Sequence, residues 1–309
     1  MRIAVMGTGA VGGYFGAKLA AAGDDVVFIV RQRHLPALRH DGLRIESPTG
    51  DLHVRNRLFT DSPADVGMVD LVLFCVKSYD TTQAAAALAP MITKRTAILS
   101  LQNGIDNPDK IAGFWGTERI LAGVVYIGAQ VSAPGVIQHS SGGKIVLGPI
   151  NGHAVDTAHI VELALTRASI PCVVSTDIEE VQWTKLLWNA PFCAISCLTR
   201  ATVREIVESE ALTNLTLDCM KEVQAAARIR AIDLNTELFD QTLEFSRGLG
   251  DFKPSMLQDL ESGKPLEYDA LNGIIMRLLE QAGEQAPVNG VFHRTLSFLD
   301  KKLREEASR

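Results

Sequence analysis

A lysine and an asparagine lie four residues apart in the segment Trp183–Asn189, which reads WTKLLWN. Side chains at this spacing share one face of a helix, so Lys185 and Asn189 would stand together among apolar neighbours. A positioned ammonium can donate a proton to a carbonyl oxygen while a ketone is reduced. The pair therefore predicts general acid chemistry at Lys185, and a solvated surface lysine is the alternative.

A glycine-rich run near the start of the chain has the residue types of a dinucleotide phosphate site. An apolar run, Arg2–Met6, leads directly into this turn, and a helix of small residues, Gly13–Ala22, follows it. The first glycine makes a tight turn, the second lets backbone N–H groups approach a pyrophosphate, and the third lets the helix pack on the strand. A second apolar run, Val26–Val30, completes the context that supports such a site. The predicted cofactor-binding residues of the run are Gly7, Thr8, Gly9, Ala10, Val11 and Gly12.

The end of the second strand favours one nicotinamide cofactor over the other. An NAD site carries an acid there, about twenty residues past the glycines, which binds the ribose 2′-hydroxyl. In this chain Asp24 and Asp25 lie at the start of the strand, whereas Arg31 lies at its end with Arg33 and His34 close behind. A guanidinium forms charge-assisted hydrogen bonds with a 2′-phosphate. We therefore expect NADP(H), and a solvated loop arginine is the alternative.

Polar residues also follow other predicted strands. Lys77 follows the apolar run Asp70–Val76, and Asn103 follows Thr96–Leu101, while Ala129 marks a weaker third position. In an open sheet, ligands bind at the carboxyl ends of the parallel strands. Lys77 could reach a phosphate or ribose, and Asn103 could hold the nicotinamide end. Each would otherwise be an ordinary loop residue.

Two residues of the second half have a structural interpretation that needs no chemistry. Ser255 has the position of a helix N-cap, before the run Met256–Asp259. Glu267 would lie early in the next helix, where an acid interacts favourably with the helix dipole.

The elements that position these residues change character along the chain. Strand-like and helix-like segments alternate to about residue 175, which is typical of a parallel sheet with crossover helices. From a capping box at Thr176–Glu179, helical spacing persists. We predict an α/β protein: residues 1–176 form a Rossmann-type, doubly wound, mostly parallel sheet that binds NADP, and residues 177–309 form an all-helical substrate and catalytic domain.

The finer expectations concern individual elements. A short helix at 35–40 and a hairpin across 47–50 are expected after the second strand. The later expected strands are Ile120–Val125, Val136–His139 and Lys144–Leu147, with turns at 133–135 and 141–143. The expected helical segments are 178–190, 202–231, 235–248 and 267–283.

Composition narrows the class of protein. The 309 residues, 47% hydrophobic and 21% charged, are typical of a globular protein of about two domains. A net charge of −6 argues against a nucleic-acid partner, and no apolar run is long enough for a membrane span. The five cysteines form no Cys-x-x-Cys pair and the seven histidines are scattered, so no metal site is expected. We expect a cytoplasmic protein.

Taken together, these residues resemble the ketopantoate reductase (2-dehydropantoate 2-reductase) family over nearly the whole chain. The glycine run and Arg31 are shared with many dehydrogenases, and the motifs of the second half are far more specific. The motifs that carry the resemblance are Gly7-x-Gly9-Ala10-x-Gly12, Arg31, Val76-Lys77-Ser78, Gln102-Asn103-Gly104, Lys185-Leu186-x-x-Asn189, and Ser255-Met256-Leu257-Gln258-Asp259 with Glu267.

The resemblance implies a reaction and a role for each site residue. The family reduces 2-dehydropantoate to (R)-pantoate with NADPH, on the route to pantothenate and coenzyme A, and its C-terminal domain is similar to that of 6-phosphogluconate dehydrogenases. Lys185 would be the general acid, Asn189 and Ser255 would bind substrate, and Glu267 would contact cofactor and substrate and help to hold the lysine. The residues lining the cofactor would be Lys77, Asn103 and Ala129, beside the glycine run and Arg31.

One position departs from the family pattern. A second asparagine usually follows the first by four residues and contacts substrate, but this chain has Cys193 there, with Pro191 removing a backbone donor between them. A thiol is a weaker hydrogen-bond partner than an amide. Discrimination that depends on a polar contact is lost with that contact. The catalytic residues therefore match the family, whereas the substrate-binding set that includes Cys193 differs.

Three functions remain open at this stage. The first is NADPH-dependent ketopantoate reduction, and the second is the same chemistry on another 2-oxo acid or a β-hydroxy acid. The third is an NADP-binding redox sensor without turnover, against which Lys185 and Glu267 argue. The expected partner is a small 2-oxo acid, and helical second domains often form the surface of a homodimer. The reactivity of Cys193 and Cys197 depends on exposure.

Overall fold

The computed structural model describes residues 1–31, 34–152 and 154–307, so Arg33, expected beside Arg31, lies outside the described residues. The chain divides into two compact units. The N-terminal unit consists of Met1–Asn103 and Asn107–Ile178, and the helical unit consists of Gly104–Asp106 and Glu179–Arg309. Each unit is described by itself below.

The N-terminal unit is built on a mixed sheet, ten-stranded among the described residues. The strands are β1 (Arg2–Met6), β2 (Asp25–Ile29), β3 (Leu43–Glu46), β4 (Leu52–Val54), β5 (Phe59–Thr60), β6 (Leu71–Phe74), β7 (Ala97–Ser100), β8 (Ile120–Ala133), β9 (Val136–Pro149) and β10 (Cys172–Val174). They follow the order β4-β3-β9-β8-β7-β6-β1-β2-β5, with β10 beside β9. Only the β3–β4 and β8–β9 pairs are antiparallel. The sheet is therefore mostly parallel, as predicted.

The central strands are apolar on both faces because both faces are covered. Ile3 and Val5 of β1 belong to one hydrophobic core, and Ala4 and Met6 belong to another. A strand buried on both sides reads as a continuous apolar run rather than an alternating one. That pattern made β1, β2, β6 and β7 recognisable in the sequence.

Helices and short turns connect these strands. Helix α1 packs closely on the sheet because Gly16 has no side chain. A Cβ built there would lie only 2.7 Å from Cε1 of Phe28 and 2.7 Å from Cγ2 of Val5. The helices of the unit are α1 (Ala10–Ala21), α2 (Leu35–Asp41), α3 (Thr81–Ala86), α4 (Asn107–Trp115) and α5 (Val155–Arg167). The 3₁₀ turns are Pro63–Asp65, Ser78–Asp80, Ala89–Met91 and Thr117–Arg119.

The hairpin formed by β8 and β9 differs from the expectation. The predicted separation of Val136–His139 from Lys144–Leu147 is wrong, because β9 runs without interruption through both. Gly142 and Gly143 have φ values of +76° and +110° and lie at an irregularity of the ladder, not in a turn. Pairing with β8 across this irregularity keeps the strand continuous, as in a β-bulge.

The helical unit is arranged around one apolar core. Trp183 and Phe192 of its first helix are fully buried in it, with residues from each of the other helices. The elements are α6 (Ile178–Thr199), α7 (Val203–Glu208), α8 (Glu210–Ile229), α9 (Glu237–Arg247), α10 (Ser255–Glu261), a π-helical turn (Asp269–Gly273), α11 (Ile274–Gln281) and α12 (Pro287–Ala307). Among the described residues, none of the helices is both long and apolar enough to cross a membrane.

Two expected helices differ in extent from the structure. Helix α6 begins at residue 178, as expected, but continues to Thr199 rather than ending at 190, and Asp177 rather than Thr176 directly precedes its first turn. The single helix expected over 202–231 is two helices, because the Ser209 side chain accepts a hydrogen bond from the N–H of Leu212 and starts α8. A side-chain cap at that position satisfies a helix-end donor and allows the chain to change direction.

Candidate functional site

The glycine turn after β1 is held against the ends of two neighbouring strands. The backbone N–H and the hydroxyl of Thr8 both donate to the Ile29 carbonyl at the end of β2, over 3.0 Å and 2.9 Å. Gly7 has a φ of +102°, and a Cβ there would lie 2.8 Å from the backbone nitrogen of Val76, beyond the end of β6. Only glycine fits at position 7. The turn brings together the carboxyl ends of the parallel strands β1, β2 and β6.

The second glycine of the turn faces open space. A Cβ built on Gly9 meets no atom within 4 Å, although one built on Gly12 would lie 2.3 Å from the Gly7 carbonyl oxygen. Gly9 is also the N-cap of α1, whose first turn carries no acid. The first N–H groups of a helix have no intrahelical acceptor and carry partial positive charge. The turn therefore fits a dinucleotide pyrophosphate, with room for the ligand at Gly9.

These two glycines provide a matched pair of variants. Gly9→Ala should leave the unfolding temperature nearly unchanged, since its backbone is in an ordinary extended conformation, but should weaken NADPH binding about tenfold or more by occupying the ligand's space. Gly12→Ala should lower the unfolding temperature, because its Cβ would meet backbone. Thermal unfolding and cofactor titration distinguish the two. Undiminished NADPH affinity in folded Gly9→Ala would exclude the turn as the cofactor site.

Arg31 lies two residues beyond β2, on the same edge of the sheet. Its guanidinium forms an ion pair with Asp80, and its side chain is 57% exposed. At the opposite, amino-terminal ends of the strands, Asp24 pairs with Arg167 over 2.7 Å, and Asp25 pairs with Arg2 over 2.6 Å. Both acids at the start of β2 are therefore remote from the glycine turn, whereas Arg31 lies beyond the end of the strand that the turn contacts.

Lys77 and Asn103 are positioned by a buried hydrogen-bond network that the sequence did not reveal. The Gln102 side chain donates to the Val76 carbonyl over 3.0 Å and to the Thr81 hydroxyl over 2.7 Å. Thr81 in turn donates to Asn107 over 2.9 Å, and Asn107 donates to the Asn103 carbonyl over 2.7 Å. The network fixes the backbone on both sides of Lys77 and at Asn103. Both residues are half-buried.

Ala129 does not occupy a strand end, contrary to the expectation. It lies within β8, next to a register shift between Gly128 and Ala129, and pairs with His139 of β9. The His139 ring lies 4.4 Å, centroid to centroid, from the ring of Tyr14 in α1. The bulged part of the hairpin therefore lies beside the first turns of α1, and bulges of this kind re-aim strands next to functional sites.

In the helical unit, α6 carries three of the predicted residues on one face. Lys185, Asn189 and Cys193 follow one another at intervals of four residues. Asn189 and Cys193 are buried and Lys185 is half-buried. The helix continues through Pro191, so the disturbance expected there does not break it. Leu186, Leu187 and Trp183 pack in the core and hold this face in place.

The environment of Lys185 lowers the pKa of its ammonium group to about 8, mainly because burial penalises the charged form. The neighbouring Cys193 sulfur and the Glu267 carboxylate act in the opposite sense and favour the ammonium. Glu267 is only 6% exposed. An amine with a pKa near neutrality gives up a proton readily and regains it from solvent, which is what a general acid requires.

The two remaining predicted residues, Ser255 and Glu267, each differ from their expected position at a helix start. Ser255 is the first residue of α10 and Pro254 occupies the N-cap, so the predicted capping role of Ser255 is wrong. Its side chain is exposed, while Met256 and Leu257 pack in the core shared with α6. Glu267 precedes the next helix and is not in its first turn.

A buried network anchors the π-helical turn that follows Glu267. The Asn272 side chain donates to the Ala190 carbonyl of α6 over 3.0 Å and to Asn289 over 2.9 Å. Glu222 of α8 accepts from Asn289 over 2.7 Å. The element that follows Glu267 is thereby tied to the part of α6 between Asn189 and Cys193. Single-turn π-helices occur often at functional sites, but the spacing of Asn272 gave no sign of this bond.

Comparison with known proteins agrees with these two units. Residues 3–152 match the family "Ketopantoate reductase PanE/ApbA", and residues 177–300 match "Ketopantoate reductase PanE/ApbA C terminal". The 2-dehydropantoate 2-reductase of Pyrococcus abyssi is 34% identical over 292 residues, which cover 94% of each chain.

Solved structures share the architecture. A PanE/ApbA family ketopantoate reductase from Ralstonia eutropha JMP134 has a TM-score of 0.90 and 33% identity, over 98% of this chain and 100% of that one. D-mandelate dehydrogenase, solved with NADH and anilino(oxo)acetate, has a TM-score of 0.91 over 98% of this chain and 99% of that one. Its identity is 21%, so the second likeness is one of fold.

Among the described residues, no cluster of His, Cys, Asp or Glu could hold a metal ion.

Proposed function

The chain belongs to the ketopantoate reductase family and is an oxidoreductase, and on this premise we propose that it reduces 2-dehydropantoate to (R)-pantoate with NADPH. The observation that carries the proposal is the environment of Lys185: a half-buried amine with a pKa of about 8, on one helix face with Asn189 and influenced by the charge of Glu267. Pantoate formed in this way supplies pantothenate and coenzyme A synthesis.

Lys185 is the general acid of the proposed reaction. Negative charge develops on the keto oxygen of the substrate as the carbonyl carbon is reduced, and the ammonium stabilises this charge and then donates its proton to the oxygen. Glu267 keeps the lysine protonated near neutral pH, because its carboxylate favours the charged amine. Burial therefore lowers the pKa of Lys185 so that it can give up its proton, and the acidic neighbour keeps the amine charged until it does.

The substrate is held by hydrogen bonds from the helical unit. Asn189 lies one turn from Lys185 and offers an amide to the substrate hydroxyl or carboxylate. Ser255 offers an exposed hydroxyl at the beginning of α10. We assign the cofactor to the glycine turn, with Arg31 on the 2′-phosphate and Lys77, Asn103 and Ala129 along its length. A nicotinamide bound there supplies the hydride.

Cys193 supports a second candidate substrate. Its thiol is 1% exposed and lies on the face of α6 that carries Lys185 and Asn189, where the family usually has a second amide. An apolar sulfur tolerates a hydrocarbon group where an amide would require a polar one. The second candidate is therefore NADPH-dependent reduction of another 2-oxo acid by the same residues.

Substrate turnover distinguishes the two candidates. The test measures oxidation of NADPH and of NADH by the purified protein with ketopantoate and with 2-oxo acids of different side chains. Rapid NADPH-selective reduction of ketopantoate supports the first candidate. Faster reduction of another 2-oxo acid supports the second, and NADPH binding without any turnover contradicts both.

Restoring the missing amide tests the significance of Cys193. If another acid is the natural substrate, Cys193→Asn should raise kcat/KM for ketopantoate at least about tenfold, because one good polar contact is worth about that factor. If ketopantoate is the natural substrate, the change should be less than about twofold. Cys193 is itself a buried residue of the helical core, so Cys193→Ser, which matches the size of the thiol, is the control for a change at this position. Thermal unfolding of each variant shows whether the protein is still folded when its turnover is measured.

A further inference from the structure

The ion pair between Arg31 and Asp80 places a carboxylate where a cofactor phosphate is expected. Asp80 is the last residue of the turn Ser78–Asp80, directly after Lys77, and its side chain is more buried than that of Arg31. The sequence after β2 lacks the acid that NAD sites carry, yet Asp80 brings one to the same guanidinium from the turn that follows β6, and β1 lies between β6 and β2 in the sheet. We propose that Asp80 is a specificity-determining residue that narrows the preference of this chain for NADPH over NADH.

The backbone that carries Asp80 is fixed by buried bonds. The N–H of Asp80 donates to the Lys77 carbonyl over 2.9 Å. The next residue, Thr81, is buried and shares hydrogen bonds with Gln102 over 2.7 Å and with Asn107 over 2.9 Å. Because Gln102 and Asn107 are also buried, this turn cannot withdraw from Arg31 without breaking several buried bonds.

The chemistry of the two cofactors makes the effect of Asp80 unequal. A 2′-phosphate on Arg31 brings up to two negative charges close to the Asp80 carboxylate, and like charges a few ångströms apart repel even at the protein surface. NADH lacks this phosphate. Its ribose 2′-hydroxyl can instead donate a hydrogen bond to a carboxylate, which is the role of the strand-end acid in NAD sites. Asp80 therefore opposes NADPH binding and is neutral or favourable towards NADH.

The proposal rests on the proposed cofactor role of Arg31, and binding measurements separate the two. Dissociation constants for NADPH and NADH are measured by fluorescence titration of the whole chain without substrate. Asp80→Asn should lower the Kd for NADPH about three- to tenfold and should leave the Kd for NADH unchanged or raise it. The gain for NADPH should diminish as salt increases, because the relieved repulsion is screened.

A matched control removes the same charge from the other end of the sheet. Asp25 pairs with Arg2 over 2.6 Å and is exposed, so Asp25→Asn changes net charge equally and should leave both Kd values within about twofold of wild type. If Asp80→Asn leaves NADPH binding unchanged or weakens it, while Arg31→Ala weakens NADPH, the role of Asp80 is wrong and the cofactor site stands. If neither cofactor binds the wild-type chain, the proposed function fails, and the inference fails with it.

Discussion

Replacing Lys185 with alanine should lower kcat for ketopantoate on the order of 10²–10⁴-fold, which is the usual contribution of a positioned general acid. The keto oxygen would then take its proton from water, and no cation would stabilise the developing charge. Folding should survive, because the variant removes a charge whose burial is costly, as the lowered pKa of Lys185 indicates. NADPH affinity, which we assign to the N-terminal unit, should change little. Steady-state kinetics with thermal unfolding as a check measure these effects.

The pH dependence of kcat/KM identifies Lys185 as the acid more specifically than the loss of kcat in Lys185→Ala does. Reduction requires the protonated amine, so wild-type kcat/KM should be constant below a pH of about 8 and fall tenfold per unit above it, as Lys185 loses its proton. This decline should be absent from the residual activity of Lys185→Ala. Lys221→Ala is the matched control, since Lys221 is an exposed lysine of the same unit. Near-wild-type turnover by Lys185→Ala would remove the lysine from the reaction.

Local sequence patterns were sufficient for the elements whose structure depends on near neighbours. Apolar burial and glycine conformation determine strand β1, the glycine turn that follows it and helix α1. Both can be inferred from residue types and their spacing. The same holds for β6 and β7, which are continuous apolar runs. The general position of Lys77 and Asn103 follows from these strands, since parallel strands that end together present their following residues at one edge.

The structure departs from the sequence-based predictions where contacts between residues distant in sequence determine it. Gly142 and Gly143 have the composition of a turn, but the pairing of Gly142 with Ile127 and of Lys144 with Tyr126 keeps both glycines within β9. Nothing in the local sequence around Asp80 indicates its contact with Arg31, which lies 49 residues away. The buried side chain of Asn272 likewise bonds to a carbonyl 82 residues away. Spacing along the chain carries no signal of such contacts.

Replacing Arg31 with alanine should raise the Kd for NADPH about ten- to a hundredfold and leave the Kd for NADH within about twofold. A charge-assisted hydrogen bond contributes about 1.5–3 kcal/mol, and the exposure of this guanidinium places the effect in the lower part of that range. The variant also leaves the Asp80 carboxylate without its cation, so a 2′-phosphate would meet an uncompensated negative charge. Both effects act on NADPH alone. Titration of each cofactor measures the ratio directly.

The comparison of the two cofactors separates recognition of the phosphate from general damage. Arg2→Ala removes an arginine of similar exposure, also paired with an acid, from the opposite edge of the same sheet and should affect neither Kd. Equal weakening of NADPH and NADH by Arg31→Ala would mean that the arginine supports the turn and does not bind the 2′-phosphate. Adding Asp80→Asn to Arg31→Ala should recover part of the lost NADPH affinity, because the remaining carboxylate repels the phosphate whether or not Arg31 is present. A larger gain from Asp80→Asn in the Arg31→Ala background than in the wild-type chain would show that the two residues are coupled at the same group of the cofactor.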